Sequence, residues 1–157
     1  YKKPLIAAVD GTAIGGGATI LLHFDAVFIS PNAKVKYPFS DLGLAPEVGS
    51  SLLLFQSLGY QKAAQVLFGA EWISGKEYFD FGMAKYLGED YYDKAIDYAH
   101  QLNEQSLASI IETKAILKSF NSDALAAARD LETKAMKRLY GSEDNIKAIE
   151  KFFSRKG

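Results

Sequence analysis

The sequence predicts an α/β fold: a small α/β front end followed by an all-helical tail. Three observations carry this. Leu5-Ile6-Ala7-Ala8-Val9 is apolar on both alternating faces, the pattern of a strand in a parallel sheet covered by helices. Asp25-Ala26-Val27-Phe28-Ile29-Ser30-Pro31 is a second β-branched and aromatic run, closed by a Pro31-Asn32 turn. From Val48 onward apolar residues recur at helical spacing almost to the end.

The elements follow in order. Pro4 to Val9 reads as a strand that breaks at Asp10-Gly11, and Gly15 to Phe24 as a helix with Ile14, Ala18, Leu21 and Leu22 on its apolar face. After the second strand, Lys34-Val35-Lys36-Tyr37 alternates and predicts a short strand with one wet face, closed by Pro38. Ser50 to Leu58 predicts a helix stopped by Gly59, and Gln61 to Phe68 another with Gly69 as its C-cap. Ser74-Gly75-Lys76-Glu77 has the capping-box pattern, opening a short helix that Gly82 ends, and Lys85 to Gly88 is extended. Four amphipathic helices complete the chain. They run from Tyr91 to about Glu104; from Leu107 to Phe120, with Leu107, Ile110, Ile111 and Leu117 on one face; from Ser122 to Tyr140, with Leu125, Ala128, Leu131, Ala135 and Leu139; and from Glu143 to Phe153, with Ile146, Ile149, Phe152 and Phe153. The division is thus an α/β region over 1–90 and a helical region over 91–157.

Composition narrows the function classes. At 157 residues, 48% hydrophobic and 24% charged, the chain is of ordinary globular make-up. A net charge of -1 gives no general attraction to nucleic acid or to an anionic membrane. With no cysteine there is no disulfide, thiolate nucleophile or thiolate metal site. No apolar run approaches the ~20 residues that span a bilayer, and the Lys2-Lys3 start is followed by an apolar stretch that Asp10 interrupts, unlike a signal peptide. A cytoplasmic location is the expectation. The chain opens on Tyr1 and enters a two-sided buried strand within three residues, yet supplies few strands to flank it; it reads as a C-terminal fragment with neighbouring strands upstream.

Chemistry concentrates in two stretches. Gly15-Gly16-Gly17 stands where the first strand region gives way to a helix. The first N–H groups of a helix have no partner within it, and glycine leaves them unshielded at the positive end of the dipole. Glu47, in Leu44-Ala45-Pro46-Glu47-Val48-Gly49-Ser50-Ser51, follows a proline at the head of another helix. Backbone donors and one carboxylate form a minimal enolate-generating site. Each feature also has a plainer reading: glycines that allow close helix–strand packing, and a first-turn acid that suits the helix dipole. His23 and His100 have no partners at metal-ligand spacing, and no metal site is expected.

In order along the chain, Pro4-Leu5-Ile6-Ala7-Ala8-Val9-Asp10-Gly11-Thr12-Ala13-Ile14-Gly15-Gly16-Gly17, Asp25-Ala26-Val27-Phe28 and Gly43-Leu44-Ala45-Pro46 resemble the crotonase (enoyl-CoA hydratase/isomerase) superfamily, well over about residues 4–90 and loosely beyond. The resemblance implies the C-terminal part of a ββα superhelix followed by a helical trimerisation region. It makes Gly16 one of two backbone donors that hold a thioester oxygen, the other lying upstream of the first strand here. Hydratases of the family use two glutamates, whose positions hold Thr19 and Phe39 in this sequence. Pro38-Phe39-Ser40-Asp41-Leu42-Gly43-Leu44-Ala45-Pro46-Glu47 instead resembles the isomerases that convert 3-enoyl-CoA to 2-enoyl-CoA in fatty acid β-oxidation, with Glu47 at the catalytic glutamate.

By the same resemblance Gly15, Gly17, Ala13, Tyr37, Phe39 and Leu44 border the acyl-CoA thioester, although Tyr37 as a lone aromatic at a strand end also suits packing. Asp41 is a second polar group near the site or a turn former. Lys151, Arg155 and Lys156 either reach a CoA phosphate or complement the dipole of the last helix. No cofactor is expected, CoA being part of the substrate, and the expected assembly is a homotrimer or a hexamer. The alternatives are a non-catalytic acyl-CoA-binding protein and an enoyl-CoA hydratase.

Overall fold

A computed structural model describes residues 1–154; residues 155–157 and the side chain of Phe152 lie outside the described residues, and with them the expectation for Arg155 and Lys156. The front end is built from two three-stranded sheets. In the first, β1 (Ile6–Val9) runs parallel to β3 (Ala26–Ile29) with Ile6 opposite Ala26 and Val9 opposite Ile29, and β6 (Tyr86–Leu87) pairs with the far edge of β3. In the second, β2 (Thr12–Ile14) runs parallel to β4 (Lys34–Lys36), and β5 (Ile73–Ser74) pairs antiparallel to β4.

The chain turns the same corner twice. β1 passes into β2 through Asp10-Gly11, and β3 into β4 through Ser30 to Ala33. The two corners stay bonded, Ser30 N–H to Val9 O at 2.9 Å and Lys34 N–H to Gly11 O at 2.7 Å. Helix α1 (Gly16–Leu21) returns the chain from β2 to β3, so the repeating unit is strand, strand, helix. The expectation of two helices meeting at Gly59 holds inside α2 (Ser50–Gly69), where Gly59 breaks the helix at φ 73, ψ 167. The capping box holds too. Ser74 Oγ accepts from Glu77 N–H and the Glu77 carboxylate accepts from Ser74 N–H at the start of α3 (Gly75–Asp80); the Ser74 hydroxyl also donates to that carboxylate, and this bond first, then the one from Ser74 N–H, lowers the Glu77 pKa below the usual carboxylate value.

Three expectations need correction. Ala8 is exposed while Ala7 and Val9 are buried, so within this chain β1 is covered on one face only; Tyr98 of the tail packs on Phe28, the β3 partner of Ala8. Gly69 remains helical, and the left-handed cap of α2 is Ala70 at φ 46, whose side chain is buried. Strands β2 and β5 were not foreseen, being too short to show an alternating pattern.

The core lies between the sheets and α1 to α3, around Ala18, Ile29, Val35, Tyr37, Leu54 and Tyr78. Burial pushes the Tyr78 phenol up to about 12, and burial with the neighbouring Tyr78 raises Tyr37 further. A phenol whose folded pKa exceeds its unfolded value of about 10 favours the fold while neutral. That contribution is complete below the unfolded value and is lost as pH rises through the folded one. Circular dichroism followed into alkali is therefore expected to show cooperative unfolding, with the midpoint moved to higher pH in Tyr78→Phe.

The tail helices α4 (Tyr91–Asn103), α5 (Leu107–Ser119), α6 (Ser122–Leu139) and α7 (Glu143–Ser154) fall within a residue or two of expectation. Much of each apolar stripe faces outward within this chain. Leu107, Leu117, Leu131, Leu139, Ile146, Ile149 and Phe153 are all exposed. Among the described residues, those buried on α5, α6 and α7 are Lys114, Glu132 and Asn145. Lys114 Nζ meets Asp25 at 2.6 Å and donates to Lys3 O at 2.8 Å, tying α5 to the approach to β1. Asn145 donates to Leu42 O at 2.7 Å and accepts from Gly141 N–H at 3.0 Å, tying α7 to the 3-10 turn at Ser40–Leu42. Buried polar groups with every partner in place fix one geometry, because each partner lost would leave an unpaired group away from water.

Candidate active site

Strand β2 delivers Gly15 to the head of α1. Gly15 is the N-cap at φ 55; its N–H donates to Lys36 O at 3.1 Å, and its carbonyl accepts from Ala18 and Thr19 N–H, both at 2.9 Å. Gly16 N–H is then the first donor of α1, exposed and without a backbone acceptor among the described residues. The second stretch reaches the same place from β4. Leu44 N–H closes on Phe39 O at 2.8 Å around the 3-10 turn, Gly43 adopts φ 62, and Pro46 leads to Glu47, whose carbonyl accepts from Ser50 N–H at 3.0 Å as α2 begins. A Cβ built on Gly16 would lie 3.9 Å from Glu47 Oε1. The half-buried Glu47 carboxylate therefore lies beside Gly16, on the side its missing Cβ would occupy. A cavity of about 590 Å³ continues from Glu47 towards α6, between Val48, Arg129, Glu132 and Met136.

The comparisons with known proteins bear on this geometry. The family model described as enoyl-CoA hydratase/isomerase matches residues 1–157. The chain belongs to the enoyl-CoA hydratase/isomerase family. It is 30% identical over 162 residues to enoyl-CoA delta isomerase 2 of Rattus norvegicus, an alignment covering 99% of this chain and 40% of the relative. It is 28% identical over 160 residues to 2,3-dehydroadipyl-CoA hydratase of Escherichia coli (strain K12), covering 99% of this chain and 62% of that one. The crystal structure of an enoyl-CoA hydratase/isomerase from Pseudoalteromonas atlantica T6c superposes with a TM-score of 0.93 at 27% identity, over 98% of this chain and 63% of that chain. The chain thus spans less than two thirds of each of these relatives. The crotonase fold and its ββα repeat, expected from the sequence, are those of the family.

Within this enoyl-CoA hydratase/isomerase chain the other expected site residues separate into two groups. Gly15, Gly17 and Leu44 stay on the segments that bring Gly16 and Glu47 together; Gly17 is exposed, Gly15 and Leu44 half-buried. Ala13 is half-buried against the core from β2. Tyr37 and Phe39 sit inside the core cluster, with the Tyr37 hydroxyl donating to Ala18 O at 3.4 Å, and neither lines the cavity beside Glu47. At the two positions where hydratases carry glutamates, the buried Thr19 hydroxyl donates to Gly16 O at 3.1 Å, and the Phe39 ring is buried. Asp41 pairs with Lys36 at 2.5 Å, on the exposed 3-10 turn. Among the described residues no helix is long and apolar enough to cross a membrane.

Sequence reasoning missed two residues around Glu47. His23 Nε2 lies 2.8 Å from Val48 O, so this nitrogen carries the proton and donates. Glu132 reaches across from α6 to the first turn of α2. A signal for Glu132 was present: it falls seven residues after Leu125, four after Ala128 and three before Ala135, an acid on the apolar stripe of α6. Nothing comparable in the sequence marks His23.

Proposed function

We propose that the protein containing this chain isomerises 3-enoyl-CoA to 2-enoyl-CoA, with Glu47 moving the proton and Gly16 N–H holding the thioester oxygen. The single observation that supports this best is Glu47 Oε1 at 3.9 Å from the Cβ position of Gly16, a carboxylate beside the residue whose N–H is the proposed donor. Shifting the double bond needs a proton removed from the α carbon and one returned to the γ carbon. One carboxylate over the acyl plane can do both in turn. The α proton becomes acidic only as the thioester oxygen gains stabilised negative charge, to which each backbone donor contributes about 2.7–4 kcal/mol. In the family the second donor comes from upstream of the strand that corresponds to β1.

On this reading Glu47 and Gly16 are the catalytic groups, Gly15, Gly17, Ala13, Leu44, Tyr37 and Phe39 shape their surroundings, and the acyl-CoA thioester needs no further cofactor. The exposed apolar positions of α5 to α7 suit the packing of a trimer or a dimer of trimers. Hydration is the second reading, kept because hydratases stand among the relatives. The Thr19 hydroxyl, already donating to Gly16 O, and the buried Phe39 ring speak against a two-carboxylate hydratase. Ultraviolet absorbance of the conjugated thioester tests the choice. A 3-enoyl-CoA is expected to gain that absorbance, whereas loss of it from a 2-enoyl-CoA, with no gain from the 3-enoyl isomer, would establish the hydratase.

A further inference from the structure

Glu47 stands at the mouth of an uncommon backbone turn. Val48, β-branched, adopts φ 58, and Gly49 follows at φ 79. A β-branched residue in the left-handed region is a genuine outlier, costing on the order of 1–3 kcal/mol, and persists only where its surroundings impose it. The surroundings here are specific. Glu132, buried on α6, accepts from Gly49 N–H at 2.6 Å through Oε2, and from Ser51 N–H at 2.9 Å and the Ser51 hydroxyl at 2.6 Å through Oε1. His23 donates to Val48 O at 2.8 Å from the other side. Gly49 is packed so closely that a Cβ there would fall 2.3 Å from Leu125 Cδ1, about two α6 turns before Glu132.

No side chain of α2 caps its own first turn: the N-cap is Gly49 and makes no side-chain hydrogen bond. Its leading N–H groups are taken by a carboxylate from a helix more than eighty positions later in the chain. A carboxylate there satisfies two backbone donors and faces the positive end of the helix dipole. The bonds also begin two residues after Glu47, so they fix the backbone from which the catalytic carboxylate projects.

We infer that Glu132 is a positioning residue: by holding Gly49 and Ser51 it keeps the strained Val48 turn closed and so aims Glu47 at the space above Gly16. This rests on Glu47 being the proton carrier. It makes α6 part of the catalytic apparatus by way of the backbone that carries Glu47.

The test is a double-mutant cycle in the full protein, with turnover of a 3-enoyl-CoA, KM and thermal melting measured for wild type, Glu132→Ala, Glu132→Gln, Glu47→Gln and the pairs. Glu132→Ala is expected to lower kcat about tenfold or more with little change in KM, since small displacements of a reacting group are costly. Glu132→Gln, which keeps an acceptor oxygen for Ser51, is expected to recover part of that loss. In the Glu47→Gln background either change is expected to add almost nothing, because a group acting only through Glu47 has nothing left to position. Wild-type kcat in Glu132→Ala, or losses that add fully to that of Glu47→Gln, would overturn the inference. If Glu132→Ala does not fold, the cycle with Glu132→Gln decides on the same two criteria. Failure of the isomerase reading is separable, because it shows as absent turnover in the wild type before any variant is compared.

Discussion

Glu47→Gln is expected to abolish proton transfer in the full protein, lowering isomerase kcat by about 10²–10⁴-fold, the usual worth of a positioned acid/base. The change is nearly isosteric and leaves an amide where the carboxylate stood. Glu47 is half-buried and is held through its backbone, by Ser50 N–H on its own carbonyl, so the substitution breaks no structural bond found for its side chain. Thermal stability and acyl-CoA affinity are therefore expected to stay near those of the wild type, read by melting and by calorimetry with a saturated acyl-CoA. Unchanged turnover would show that another group moves the proton. No second carboxylate is in a position to do so at the two hydratase positions, where Thr19 is already bonded to Gly16 O and Phe39 belongs to the core.

How much of this was legible beforehand differs between the two ends of the chain. The strand–strand–helix order and most helix limits were readable because glycine, proline and capping residues punctuate them; Gly59, Ser74 with Glu77, and Gly82 act where their chemistry says they should. The meeting of Gly16 and Glu47 was readable only through the family resemblance, since two corners of different loops carry no local mark of their contact. What stayed hidden was the attachment of the tail. Periodicity finds apolar stripes but not what covers them, and Leu117, Leu131 and Ile146 are all exposed within this chain. Lys114, Glu132 and Asn145 do the anchoring, each by hydrogen bonds to backbone or to Asp25. Long charged side chains are rarely buried unless paired, so a sequence reading places them outside by default. In β1, Ala8 reads as a core residue and is exposed within this chain.

Gly16→Ala is expected to make the protein more stable and far less active. Gly16 opens α1 without the left-handed backbone of Gly15, and among the described residues the only neighbour a new methyl would meet within 4 Å is Glu47 Oε1 at 3.9 Å, an ordinary contact. Alanine in place of a helical glycine reduces the freedom lost on folding, worth about 0.5–1 kcal/mol. Urea denaturation should register that gain. On the proposed reading the same methyl enters the space between Gly16 and Glu47, where the α carbon of the thioester would sit while one group holds the oxygen and the other takes the proton. A displacement on the order of 1 Å from that geometry costs about 10²-fold, and kcat/KM is expected to fall by that factor. Gly15→Ala gives the contrast. It would place a side chain at φ 55 with nothing within 4 Å, so strain rather than collision follows, and stability is expected to fall. A Gly16→Ala protein that gained stability and kept its turnover would place the reacting thioester away from Glu47.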